Sequence, residues 1–443
     1  MKYSSIDVGL LQVRPRATWK AFRREPWSFW LLCVYLLVEY LRPQMVYPAL
    51  DVVPWGQLTL GACLVSILLN GWQPRKLVLM DLLIAAFFFW VLLSSVLALR
   101  PDVSFGAWQV FAGWFILYYL IPLVVTTPRR TLLFFLFFLL VNLKMSQHGA
   151  RTWVLRGFAF ADWGATGSPG WFQNSGEFAM EMAGVVGISW CLLFALRRHI
   201  GKWKFRLGVL ILPGTAVASV MASSSRGGQL ALVGVVIALL IFHKVRFRNL
   251  AIVGAIMAVG WILVPAEQKV RFQEMGEDPS SESRLTYWRA ATEVAVAHPL
   301  TGIGYNNWPA YWASVLGEGR IERIHNSTLQ AAAETGFPGA ALFLGMVLLT
   351  FRLNAQTRRR AKRMPLWGDA FWGMAAGLDA GMVGFILAGQ FMSVLYYPIF
   401  WVSFGLTTAV SETSRKAVRA TARQPHHPPL LHSTSVVPEP GVG

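Results

Sequence analysis

The run Leu77-Val-Leu-Met-Asp81-Leu-Leu-Ile-Ala-Ala-Phe-Phe-Phe-Trp90-Val-Leu-Leu-Ser-Ser-Val-Leu-Ala-Leu99 carries one charged side chain, Asp81, in an otherwise strongly apolar stretch. As a helix it is long enough to cross a hydrocarbon layer of ~30 Å. Apolar runs of comparable length recur along nearly the whole chain. The 443 residues are 55% hydrophobic and 14% charged, whereas soluble domains carry about 25% charged residues. A soluble globular protein is therefore excluded, and the chain reads as an all-α polytopic membrane protein.

Twelve spans are predicted, at 27–41, 55–70, 77–99, 104–125, 131–146, 176–196, 205–222, 228–243, 250–265, 337–351, 369–392 and 395–410. Several are short, and the first two could form a re-entrant pair. Basic clusters fall at 14–24, 75–76, 129–130, 197–206, 244–248, 358–363 and 415–423. With twelve spans all seven lie on one side together with both termini, which the positive-inside rule makes cytoplasmic. The formal charge of +18 is thus spread over membrane-orienting clusters rather than one face, so no nucleic-acid partner is expected.

The chain then divides into a cytoplasmic N-terminal segment (1–26), helices one to nine (27–265), a large external helical loop (266–336), helices ten to twelve (337–410) and a tail (411–443). No cleavable signal is expected before the first span. The tail is rich in Pro, His and Ser, with His426, His427 and His432, and reads as a solvated, disordered segment. Cys33, Cys63 and Cys191 lie within apolar runs, so neither a disulfide framework nor a zinc site is expected. No phosphate-binding glycine loop of the Walker type occurs, and no cofactor or metal is expected.

Candidate chemistry collects in the polar run 267–336 and one tight turn. Arg226 stands in Ser223-Ser-Ser-Arg-Gly-Gly228, at a membrane edge where an arginine needs water, phosphate or an acid. Arg284 and Arg289 belong to a helix expected to start with Ser283 as N-cap, to bury Leu285, Trp288, Ala291 and Ala295, and to stop at Pro299. Thr301-Gly-Ile-Gly304-Tyr-Asn-Asn307 forms a glycine turn without the dinucleotide-binding spacing. His325 precedes a short helix capped by Asn326 or Ser327, with Ser327-Thr-Leu-Gln330 as a capping-box pattern and Gly336 and Pro338 as its stop. The positive end of that helix keeps the imidazole neutral and fit to act as a general base. Together with Arg320 and Arg323 it also favours a bound anion. Arg289, Arg320, Arg323 and Asn326 are the candidate contacts to pyrophosphate or acceptor. Glu277-Asp278 reads as a solvated turn, Glu39 has Arg42 one turn away, and Asp379 has no partner that the sequence identifies.

These motifs, in this order, resemble the O-antigen ligase and O-antigen polymerase superfamily of bacterial membrane glycosyltransferases. The resembling segments are Ser225-Arg226-Gly227, the run from Ser283-Arg284 to Trp288, His298-Pro-Leu-Thr-Gly-Ile-Gly-Tyr-Asn-Asn307 and His325-Asn-Ser-Thr-Leu-Gln-Ala-Ala-Ala-Glu334-Thr-Gly336. The resemblance implies a GT-C-like fold and an undecaprenyl-pyrophosphate-linked glycan donor. It also implies a sugar acceptor, either lipid A core or a growing polysaccharide, at the periplasmic side of the bacterial inner membrane. On that likeness Arg226 and Arg284 hold the pyrophosphate and His325 activates the acceptor or assists transfer, without a metal. The family's Asn-Pro-Asn-like run is replaced here by Phe172-Gln-Asn174-Ser-Gly-Glu-Phe-Ala179. The run Tyr40-Leu-Arg-Pro-Gln-Met-Val-Tyr-Pro48 looks like an exopolysaccharide- and exosortase-linked subgroup. An inverting ligase or polymerase is the leading reading; a flippase of lipid-linked sugar and a protein O-oligosaccharyltransferase are the alternatives.

Overall fold

The computed structural model describes residues 4–70, 74–160, 163–243, 279–315 and 323–422. Every regular element among them is helical. Two short helices, α1 (Ser5–Leu11) and α2 (Pro15–Phe22), lead into α3 (Trp27–Leu41), α4 (Pro43–Val46), α5 (Trp55–Leu69), α6 (Leu79–Val96) and α7 (Pro101–Val124). Next come α8 (Pro128–Leu155), α9 (Ser175–Ile200), α10 (Lys202–Val209), α11 (Thr215–Ala222) and α12 (Arg226–Phe242). The last group is α13 (Pro279–Ala297), α14 (Trp308–Val315), α15 (Ser327–Ala361), α16 (Gly368–Gly389) and α17 (Pro398–Ala422). The protein is thus an all-α polytopic membrane protein.

Among the described residues nine helical stretches are long and apolar enough to cross a membrane, and α12 is a shorter apolar helix. The expected span 250–265 and the loop up to residue 278 lie outside the described residues, as do Glu277-Asp278 and the tail beyond Ala422. The tail expected to be disordered from residue 411 instead continues α17 to Ala422, with Ser411–Ser414 buried. Several helices outrun the predicted apolar cores. The span expected at 131–146 belongs to Pro128–Leu155, and that at 337–351 continues to Ala361. Hydropathy stops after Phe351, but Arg352, Leu353, Ala355, Gln356 and Arg358–Arg360 are residue types that favour helix, so the backbone continues.

The centre of the bundle is α9 against α16, whose most apolar windows are 83% and 78% buried. Small residues let these backbones approach closely. A Cβ on Gly187 would come within 2.9 Å of Ala380 Cβ, and one on Gly377 within 2.8 Å of Ile188 Cα. The charges follow from the helix ends. Asp81, the one charge of the opening stretch, is buried in the first turn of α6, where it accepts from the Val78 N–H (2.7 Å) and the Tyr118 hydroxyl (2.8 Å) and pairs with Arg75. Asp379, partnerless by sequence, pairs with Arg358 and accepts from Asn354 Nδ2 at 2.9 Å. Arg129 meets Asp7 (2.9 Å), Arg75 meets Glu412 (3.4 Å) and His199 meets Asp369 (3.0 Å). These contacts gather the described basic clusters at one end of the bundle. Helices α9, α12 and α15 begin at the other end.

The loop 298–307 is held against a break in α15. Gly336 adopts φ +70°, ψ 177°, and Pro338 has no N–H for the Glu334 carbonyl. The Phe337 N–H turns to Pro299 O (2.8 Å). Ala333 O then accepts from the Ile303 N–H (2.9 Å), and Glu334 O from the Gly304 N–H (3.1 Å) and Ser94 Oγ (2.8 Å). The glycine motif therefore satisfies the carbonyls that the break exposes. A Cβ at Gly336 would lie 2.0 Å from Leu300 O. Gly336→Ala is expected to lower stability by about 1–3 kcal/mol or more, read as a fall in thermal unfolding temperature in detergent; an unchanged midpoint would contradict this packing.

Candidate active site

Three helix N-termini meet on the segment 390–397 that joins α16 to α17. At α9, Asn174 Oδ1 accepts from the Gly176 N–H at 2.8 Å. A Cβ on Gly176 would lie 3.0 Å from Met392 Sδ and 3.4 Å from Ser225 Oγ. At α12, Ser225 Oγ accepts from the Gly228 N–H (3.2 Å), and a Cβ on Gly227 would lie 3.3 Å from Phe391 Cβ. At α15, Asn326 Oδ1 accepts from the Thr328 and Leu329 N–H groups, both at 3.0 Å. Ser327 Oγ donates to Met392 O (2.8 Å) and accepts from the Val394 N–H (3.0 Å), while the His325 N–H donates to Ser393 Oγ (2.9 Å). Caps satisfy only some of the leading N–H groups, so the positive ends of three helices face one region.

The expected Ser327–Gln330 capping box does not form, and of the two candidate caps it is Asn326 that serves, because the Ser327 hydroxyl is engaged by the 390–397 segment. Gln330 reaches Glu334 instead (3.3 Å). Helix α13 likewise starts at Pro279, ahead of Ser283, since proline suits the first turn, where its missing N–H goes unused. Its buried face runs through Ala291, Val294 and Ala295, with Tyr287 and Trp288 packed beside it, and leaves Leu285 exposed. Ala291 and Val294, with Ile303, Trp308, Trp312, Ile324 and Ala333, form a small second core that seats α13 and α14 over the start of α15.

His325 and Arg284 come together at this seat. The Tyr287 and His325 rings lie 6.3 Å apart, and Tyr287 stands edge-on to Trp312 at 4.9 Å. Burial, then the charges of Arg284 and Arg323, push the His325 imidazole down to about 4. The neutral ring expected from the helix end is found, but desolvation and the two guanidiniums are its causes. His325 (φ +55°) and Ser224 (φ +53°) are both left-handed residues placed immediately before a capping residue. Such backbone is sparsely populated by side-chain-bearing residues and concentrates at functional sites.

Arg226, the first residue of α12, is half-buried beside the 390–397 segment. Arg323 is exposed and acts electrostatically on His325, Glu177 and Tyr397. Asn326 serves as the cap and its Nδ2 faces Gln390 Oε1 at 3.3 Å. Arg289 is exposed on α13, and Arg320 is outside the described residues. Glu177, Ser393 and Tyr397 were not read from the sequence as contributors. Glu177 sits in the first turn of α9, three residues after its cap Asn174, where a capping-box pattern was available as a signal. Ser393 lies between two predicted spans and Tyr397 at the start of the second, with no local signal.

Polytopic helices bearing a neutral histidine among arginines at one end define a membrane protein with a cationic site. Residues 209–344, which span Arg226, Arg284 and His325, match the family model described as O-antigen ligase. The match supports the O-antigen ligase and polymerase superfamily and, with it, a glycosyltransferase-like activity of that general type. No curated protein matches the chain.

Proposed function

We propose that the protein is an inverting glycosyltransferase that moves a glycan from an undecaprenyl-pyrophosphate-type donor to a sugar hydroxyl at the periplasmic face of the bacterial inner membrane. It acts as a ligase or polymerase of cell-surface polysaccharide. The observation that carries this is the half-buried His325, within the electrostatic reach of Arg284 and Arg323, where three helix N-termini converge. The basic clusters, gathered at the opposite end, support the periplasmic placement.

In the reaction the acceptor oxygen attacks the anomeric carbon as the bond to pyrophosphate breaks. The leaving pyrophosphate keeps the electron pair, and its growing charge is met by Arg226, Arg284 and the helix ends. His325 takes the hydroxyl proton. An imidazole pushed down to about 4 is a weak base in the free protein. Burial is the main cause of that depression and the charges of Arg284 and Arg323 add to it, so a bound pyrophosphate, by neutralising the arginines, would relieve the electrostatic part and raise the basicity of the imidazole.

Arg226→Lys is the experiment specific to this reading. Lysine keeps the charge but loses the planar fork that grips two phosphate oxygens. Turnover of lipid-linked donor is expected to fall at least tenfold while the protein accumulates normally. Undiminished turnover would make Arg226 a lipid-headgroup anchor only.

A further inference from the structure

A polar cavity of about 370 Å³ opens at the same end of the bundle as the candidate active site, between the end of α3, the start of α5 and α7. Glu39, Arg42, Gln44, Trp55, Gln109 and Trp171 line it. Its volume falls within the ~300–1,000 Å³ range of small-ligand pockets. Glu39 Oε1 accepts from Trp171 Nε1 (2.6 Å) and from Arg42 Nη2 (2.9 Å), and the Arg42 guanidinium lies 5.1 Å over the Trp171 ring. Trp55 is oriented by its Nε1–H on Leu50 O at 2.6 Å. Two buried polar atoms of this lining, Arg42 Nε and Gln44 Oε1, have no hydrogen-bond partner among the described residues.

The chemistry selects the occupant. Indole faces pack against the C–H face of a sugar ring, while a carboxylate, amides and a guanidinium exchange hydrogen bonds with its hydroxyls. A lipid tail would strand the polar groups, and a simple anion would meet an arginine already paired with Glu39. The opposite face of this wall points to the candidate active site. Trp171 stands edge-on to Tyr397 at 5.5 Å, and Tyr397 adjoins Glu177 and Arg323. The Tyr40–Pro48 motif thereby acquires a place, because Arg42 and Gln44 belong to it.

We propose that this cavity is a saccharide-binding subsite that holds the body of the acceptor glycan while its terminal hydroxyl reaches His325. The proposal rests on the transferase reading above. Full-length protein in nanodiscs is probed with an array of bacterial capsular and O-polysaccharide oligosaccharides. Gly113 lines the cavity, and a Cβ there meets nothing within 4 Å. Gly113→Leu therefore fills the space while favouring the helix. Gln109→Ala removes an exposed amide at the rim without disturbing packing. The wild type is expected to retain at least one oligosaccharide, with retention reduced at least tenfold by Gly113→Leu and several-fold by Gln109→Ala. No retention by the wild type, or retention indifferent to Gly113→Leu, overturns the subsite. Wild-type glycan transfer alongside that indifference sinks the subsite alone. Cavity-dependent retention without any transfer by the wild type sinks the transferase reading alone.

Discussion

His325→Ala is expected to lower glycan transfer by about 10²–10⁴-fold, the usual contribution of a positioned general base, while the protein still inserts and accumulates. The local fold should survive, because the contact that fixes the residue is its backbone N–H on Ser393 Oγ, which alanine keeps. The left-handed backbone at φ +55° is a mild cost for alanine, so His325→Asn is the companion variant, since asparagine tolerates that region. Both should lose transfer. Full activity in either would remove His325 from the chemistry. The pH dependence follows from the same group. The imidazole acts when neutral, so in the free protein its competence is lost only as pH falls through about 4. Inorganic pyrophosphate should move that limb upward by masking Arg284 and Arg323. The proton NMR titration of His325 tests this. A midpoint near 4 that rises with pyrophosphate is expected, and one indifferent to it would separate the histidine from the anion site.

Arg284→Ala is expected to cost about 10²–10³-fold in transfer, in line with the removal of one preorganised charge-stabilising group. The variant also relieves His325 of a neighbouring positive charge, so the histidine becomes more basic as the rate falls. That opposition separates a clamp on the leaving group from a mere modulator of the base. Arg289→Ala, on the exposed face of the same helix, should change the rate less than about twofold. Equal losses for the two arginines would mean that the orientation of α13 is not what selects Arg284.

Much of this was legible because the membrane restricts the choices. Apolar runs must be helices in hydrocarbon, and the clustered arginines had to share one end. Gly336 and Pro338 announced the break in α15, and His325 could be read as a pre-helical residue because capping is local. What escaped was set by contacts between distant segments. Asp379 finds Arg358 on another helix, and the Ser327 hydroxyl leaves its expected capping role for Met392 and Val394. The segment 390–397 carries no motif, yet it touches all three helix starts. The glycine turn 301–307 looked like a loop near the chemistry; its backbone is spent on the carbonyls of the α15 break.

The most direct measurement uses purified full-length protein in nanodiscs, where no second compartment exists and movement across the membrane leaves no chemical trace. Lipid-pyrophosphate-linked repeat units and an acceptor glycan are supplied without nucleotide. The expected result is a lengthened glycan whose new linkage has the inverted anomeric configuration, with stoichiometric release of lipid pyrophosphate. Donor recovered intact, with acceptor unchanged, would contradict glycan transfer and leave a carrier of lipid-linked sugar in its place.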